Sequence, residues 1–126
     1  MTARYARIAV ITAFAAAVAC GDPATAPTTP KTIVRPIQVD SLEVLLTPPS
    51  VHVHGVIGDG CTELGSVRMQ RSENTVSITI SSQRPQDAIC TQIAKLYDAT
   101  LALPGDFPPG EYVLRVNGVE KAFSIP

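Results

Sequence analysis

Between two cysteines, Cys61 and Cys90, the chain carries one unbroken alternation: Thr75-Val76-Ser77-Ile78-Thr79-Ile80-Ser81. Val76, Ile78 and Ile80 point to one face, and the hydroxyls of Thr75, Ser77, Thr79 and Ser81 to the other. Period two in β-branched residues is the pattern of a half-buried strand. Ser66 to Arg71 precedes it, with Val67 and Met69 inward and Arg68 and Gln70 outward. The connection Ser72-Glu73-Asn74 is short and polar, which predicts a tight hairpin. The cysteines flank this hairpin, so a Cys61–Cys90 disulfide would clamp its open end to the neighbouring segment. Closing a loop of about 30 residues stabilises by roughly 3–4 kcal/mol in the chain-entropy picture.

Other strands follow from the same period. Ile37, Val39, Leu42, Val44 and Leu46 predict a first strand with an irregularity at Asp40-Ser41, ended by Pro48-Pro49. Next, Val51, Val53 and Ile57 share one face with Gly55 between them, while His52, His54 and Val56 share the other. Gly58-Asp59-Gly60 is a turn. Ile89, Ile93 and Leu96 fit helical spacing, so a short helix is open over 88–96. From Tyr97 the inward set is Tyr97, Ala99, Leu101 and Leu103. Tyr112, Leu114 and Val116 follow, then Asn117-Gly118, a strong hairpin signal because a type I′ turn needs positive φ at both central positions. Val119, Phe123 and Ile125 close the chain as an inward set. Lys121 shares their face, which suggests an edge or a strand end.

About seven strands over 37–126, with no long helix, predict an all-β fold: an immunoglobulin-like antiparallel β-sandwich. Tyr112 could serve as a tyrosine corner. A domain of this size buries only about 60–65% of its unfolded surface, so a disulfide matters more than in a larger protein.

Residues 1–19 read as a signal peptide. Arg4 and Arg7 give a positive start, and Ile8 to Val18 is an apolar run of 11 residues. A bilayer span needs about 20, so this length suits secretion rather than crossing. Ala17-Val18-Ala19-Cys20-Gly21 resembles the lipobox of bacterial lipoproteins, although Ala17 stands where Leu is usual. The resemblance implies cleavage before Cys20 and its lipidation (palmitate among the acyl groups), and hence a membrane-anchored lipoprotein of the cell envelope. The alternative is an ordinary secretory signal that leaves Cys20 as an odd thiol. Residues 20–36 form a Pro/Thr-rich tether, with Pro23, Pro27, Pro30 and Pro36, too poor in apolar groups to offset its ordering entropy. Removing 1–19 takes away Arg4 and Arg7, leaving eight basic residues against eleven acidic. A balance near −3 argues against a nucleic-acid partner and against a polybasic membrane patch.

Three pieces, Gly58-Asp59-Gly60-Cys61-Thr62-Glu63, Ala88-Ile89-Cys90-Thr91-Gln92, and Pro109-Gly110-Glu111-Tyr112 with Val116-Asn117-Gly118-Val119, resemble a group of exported bacterial proteins, often lipoproteins. These carry a small all-β domain of no established function. The resemblance spans Val51 to Ile125 and lends support to the fold, the bridge and the export route. It implies no catalytic residue.

The chemistry offered is sparse. His52 and His54, the only histidines, lie on one strand face about 7 Å apart at a rise of 3.3 Å per residue. Such a pair can supply two metal ligands, with Asp59 and Glu63 as nearby candidates for the third, but a site needs that third ligand and usually a fourth. The reading adopted is two solvent-facing imidazoles on an edge strand, with metal binding as the alternative. Cys61 beside His52 or His54 could be a nucleophile pair, but an exported cysteine with a partner at hairpin spacing is better read as bridged. Asp59/Glu63 and Asp98/Asp106 read as turn residues and solvated charges. No nucleophile elbow or phosphate-cradling loop is present. Phe107 is either an exposed anchor or a cap on the sandwich end, and the cap is favoured. The hydroxyl face 75–81 reads as an ordinary sandwich exterior.

No enzyme activity and no cofactor are therefore expected. The reading is a monomeric, lipid-anchored envelope domain that acts through a protein partner or as a structural module. The alternatives are a metal-handling domain using His52 and His54, or an exported hydrolase inhibitor presenting the loop 104–110.

Overall fold

The computed structural model describes residues 31–126. The signal segment 1–19, Cys20 and the first part of the tether lie outside the described residues. The rest is all-β, as expected, with eight strands rather than about seven. They are β1 (Thr32–Pro36), β2 (Gln38–Leu46), β3 (Pro49–Gly58), β4 (Glu63–Ser72), β5 (Thr75–Pro85), β6 (Lys95–Ala102), β7 (Gly110–Val116) and β8 (Val119–Ile125).

Two sheets face each other. The smaller has the order β2-β3-β6, antiparallel throughout. The larger is built on β5, the alternating strand. β4 pairs along one edge of β5 as the predicted hairpin, with Ser72 opposite Thr75. The other edge is shared end to end: β7 runs parallel to Thr75–Ile78, and β1 runs antiparallel to Ser81–Pro85. β8 then pairs with β7 as the outer strand. The β5–β7 pair is the departure from a purely antiparallel sandwich.

β1 corrects the tether. Residues 32–36, expected to be unpaired, form a strand because β7 leaves β5 after Ile78 and its next main-chain groups need partners. The chain then changes sheets at Ile37, which is buried and donates its N–H to Ile80 O at 3.0 Å.

The core lies where the sequence pattern puts it. Ile78, Ile80, Leu114, Val51, Val53, Val76 and Val116 are its largest fully buried side chains. Burying each contributes roughly 1.5–3 kcal/mol, so together they outweigh the single disulfide. The irregularity at Asp40-Ser41 is a register shift between Val39 and Ser41 opposite β3. Gly55 faces it, and a Cβ there would stand 2.2 Å from Gln38 O. Asn117 and Gly118 take φ of 47° and 85°, as the hairpin signal requires.

Some positions differ. Val67, expected inward, is exposed, because edge strand β4 shifts register between Leu64 and Val67. Val119 is exposed beside its turn. No helix forms over 88–96: residues 86–94 run without regular structure, and Ile89, Ile93 and Leu96 all face outward. A single turn of helix cannot stand without a buried face, and the Cys90 bridge and the start of β6 at Lys95 hold both ends elsewhere.

Candidate functional site

The cysteine-centred motifs meet at one end of the sandwich. Cys61 and Cys90 are bridged, with Cα atoms 5.4 Å apart. Asp59 organises the loop before Cys61. Its carboxylate accepts the Cys61 N–H at 3.1 Å and the Thr62 hydroxyl at 2.7 Å, and it pairs with Arg84 Nη1 at 3.1 Å. The Thr62 hydroxyl, the Cys61 amide and the Arg84 guanidinium hold the Asp59 carboxyl below the usual carboxylate range, against an opposing push from burial. Asp59 is therefore a structural turn residue, as the sequence suggests, and lies outside the group of metal-ligating side chains described below. Gly60 packs flat against the second motif: its N–H donates to Thr91 O at 2.9 Å, and a Cβ would stand 2.0 Å from Thr91 Oγ1. Arg84, whose run Arg84-Pro85-Gln86-Asp87 reads as a loop in the sequence but which lies at the end of β5, also donates from Nη2 to Cys90 Sγ at 3.4 Å.

At the other end, Phe107 packs against the core between Tyr112 and Phe123, with centroids 5.1 and 6.1 Å away. Arg71 lies over its ring at 4.1 Å and donates to Pro104 O. Phe107 is a cap, not an exposed anchor, and the loop 104–110 is pinned. The Tyr112 hydroxyl donates to Pro108 O, four residues upstream, in the manner of a tyrosine corner.

The only grouping of metal-ligating side chains among the described residues is on the outer face of the small sheet: His52, His54 and Asp98. β3 is the central strand of that sheet, so the histidines are not on an edge. His52 stands between Glu43 of β2 and Thr100 of β6, and His54 between Ser41 and Asp98. The rings lean together, with centroids 4.3 Å apart. Asp98 spans them: His52 Nε2–H donates to Oδ1 at 2.5 Å, and His54 Nδ1 lies 3.4 Å from Oδ2. The His52 hydrogen bond, and then the nearby imidazoles, lower the Asp98 pKa despite some desolvation. A surface cavity of about 210 Å³, lined by Asp40, His54, Gly55, Leu96, Tyr97 and Asp98, opens beside the group.

The third member is thus Asp98, not Asp59 or Glu63. The signal was in the alternation, since inward Tyr97 and Ala99 make Asp98 outward. Its meeting with His54 depends on the β3–β6 register, which a single sequence does not display.

The chain is similar to an uncharacterized 10.2 kDa protein in the HgiCIIM 5′ region of Herpetosiphon aurantiacus, 28% identical over 93 residues, which cover 74% of this chain and 99% of that one. It is likewise similar to an uncharacterized 10.2 kDa protein in the HgiBIM 5′ region of the same organism, 34% identical over 80 residues, or 62% of this chain and 98% of that one. No solved structure matches. The family model described as the ORF11 beta-sandwich domain matches residues 51–125, from Val51 within the histidine strand to the end of β8. With the two-sheet architecture and near-complete coverage of its relatives, the chain belongs to the ORF11 beta-sandwich domain family.

Proposed function

We propose that this chain is an exported, lipid-anchored and non-catalytic domain of the cell envelope that works by holding a protein partner. The observation that carries the reading is the segment 86–94 and its junction with β6. Ile89, Ile93 and Leu96 there are 102%, 73% and 75% exposed. Large apolar side chains left in solvent on a segment tied down by the Cys61–Cys90 bridge support a contact surface there. The Cys61–Cys90 bridge supports export, because such bonds persist in oxidising compartments. The lipobox-like run before Cys20 supports the anchor. The partner is an envelope protein with a complementary apolar surface, and the domain itself is a monomer.

Two measurements test this. Membrane fractionation of Cys20→Ser should move the protein to the soluble fraction; unchanged membrane association would sink the anchor. A photo-crosslinker at position 93 in intact cells should yield one dominant heterologous adduct that Ile89→Asp abolishes. A ladder of unrelated adducts, or adducts only with itself, would sink the partner reading.

A further inference from the structure

We infer that His52, His54 and Asp98 form an open, three-ligand binding site for zinc, with water completing the coordination shell. Two imidazoles and one carboxylate are a donor set suited to a late first-row dication and poorly suited to calcium or magnesium. Zinc takes nitrogen and oxygen ligands at about 2.0–2.2 Å in a tetrahedron, which sets neighbouring ligand atoms roughly 3.4 Å apart. The donor atoms here all lie within 4.8 Å of one another, and the His54 Nδ1 to Asp98 Oδ2 distance is 3.4 Å. The closer His52 Nε2 to Asp98 Oδ1 contact, 2.5 Å, is a hydrogen bond, and its proton would give way to a cation set between the two atoms. Binding exchanges that proton for the metal and needs the two atoms to part by less than about 1 Å.

The sheet does the positioning. Both histidines sit on a strand paired on each side, and Asp98 is fixed opposite His54 by the antiparallel ladder. Cross-strand neighbours in such a ladder hold Cβ atoms about 4.5–5.5 Å apart, so the three side chains converge without a loop having to order. The side chains are partly solvent-exposed, at 28% for His52, 45% for His54 and 62% for Asp98. The adjoining cavity leaves room for water at the remaining position. An open position of this kind separates the site from closed structural zinc centres, whose four ligands are all protein. The inference does not rest on the anchor or on a partner: its ligands are His52, His54 and Asp98, and only Leu96, which lines the adjoining cavity, is shared with the proposed contact surface.

The test is calorimetric titration of the full chain, without a polyhistidine tag, with zinc chloride. It is paired with cobalt(II) substitution read by visible absorption. One zinc per chain at micromolar affinity and d–d bands of four-coordinate cobalt are the expected result. His52→Ala, His54→Ala and Asp98→Asn should each weaken zinc by about tenfold or more, while Glu63→Gln and Asp106→Asn leave it unchanged. All three positions are on the outer face, so unchanged far-ultraviolet circular dichroism would show that the variants fold. Loss of zinc affinity in Glu63→Gln equal to that in His52→Ala would overturn the site as diffuse surface binding. So would the absence of micromolar binding to the parent chain.

Discussion

Asn117 and Ile80 are joined by two hydrogen bonds. Ile80 N–H donates to Asn117 Oδ1 at 2.9 Å, and Asn117 Nδ2 donates to Ile80 O at 2.8 Å. The same Nδ2 reaches Ile37 O at 3.0 Å. A side-chain amide thus occupies the gap in the β5 ladder between the end of β7 at Val116 and the end of β1 at Pro36. It does so from a residue that also supplies positive φ to the β7–β8 turn.

Those two roles can be separated. Asn117→Gly keeps the backbone freedom and removes the amide, leaving part-buried main-chain groups without their partner. At roughly 1–3 kcal/mol per such group, a loss of about 2–4 kcal/mol is expected in urea unfolding. Asn117→Ala should cost more, since alanine also resists φ of 47°. Equal stability of the Gly variant and the parent would refute the ladder-filling role.

Removing the bridge should act locally and globally. Cys61 and Cys90 are 29 residues apart in sequence. Cys61→Ser with Cys90→Ser should lower stability by roughly 3–4 kcal/mol. Hydrogen exchange should rise first at Gly60, whose amide bonds to Thr91 O across the bridged segments. Uniform acceleration across β5 and β7, with no local excess at Gly60, would contradict that order.

Asp59 sets part of the acid response. Its carboxyl is held below its ordinary value of 3.8, first by the Thr62 hydroxyl. A depressed folded-state pKa adds stability that is present above the unfolded value and is lost as pH falls through the folded one. The acid limb of the stability curve should therefore steepen below about pH 4, and Asp59→Asn should flatten it. A limb of the same slope in both proteins would remove Asp59 from the account.

Gly55 marks the tightest approach in the small sheet. A Cβ there would meet Gln38 O, a main-chain atom, so relief requires β2 to move at its bulge. Gly55→Ala should cost about 1–3 kcal/mol, as overpacking does elsewhere, measured by thermal or urea unfolding. A neutral substitution would show that the bulge slides freely.

The parts of this fold legible in the sequence were those governed by neighbours along the chain. Val76, Ile78 and Ile80 alternate with hydroxyls, and Tyr112, Leu114 and Val116 alternate with exposed or half-buried residues; all six are buried. Asn117-Gly118 announces its turn through backbone chemistry alone. What stayed hidden depends on pairing across long separations. β1 is polar and Pro-bounded, and it becomes a strand only because β5 has an unfilled edge beyond Ile78. Asp98 looked like a solvated charge until the ladder set it against His54. The helical spacing of Ile89, Ile93 and Leu96 misled for the opposite reason: a periodic apolar stripe implies a helix only when something covers it.

The sharing of β5 between β1 and β7 has a mechanical consequence. A pull arriving from the N-terminal side of the chain first loads β1, which is held to β5 by a single ladder of five residue pairs. That ladder can peel while the core stays closed, because Ile37 is fastened separately to Ile80 and Asn117. Tension from that side therefore meets β1 first, and only beyond Ile37 does it reach the hydrophobic interior.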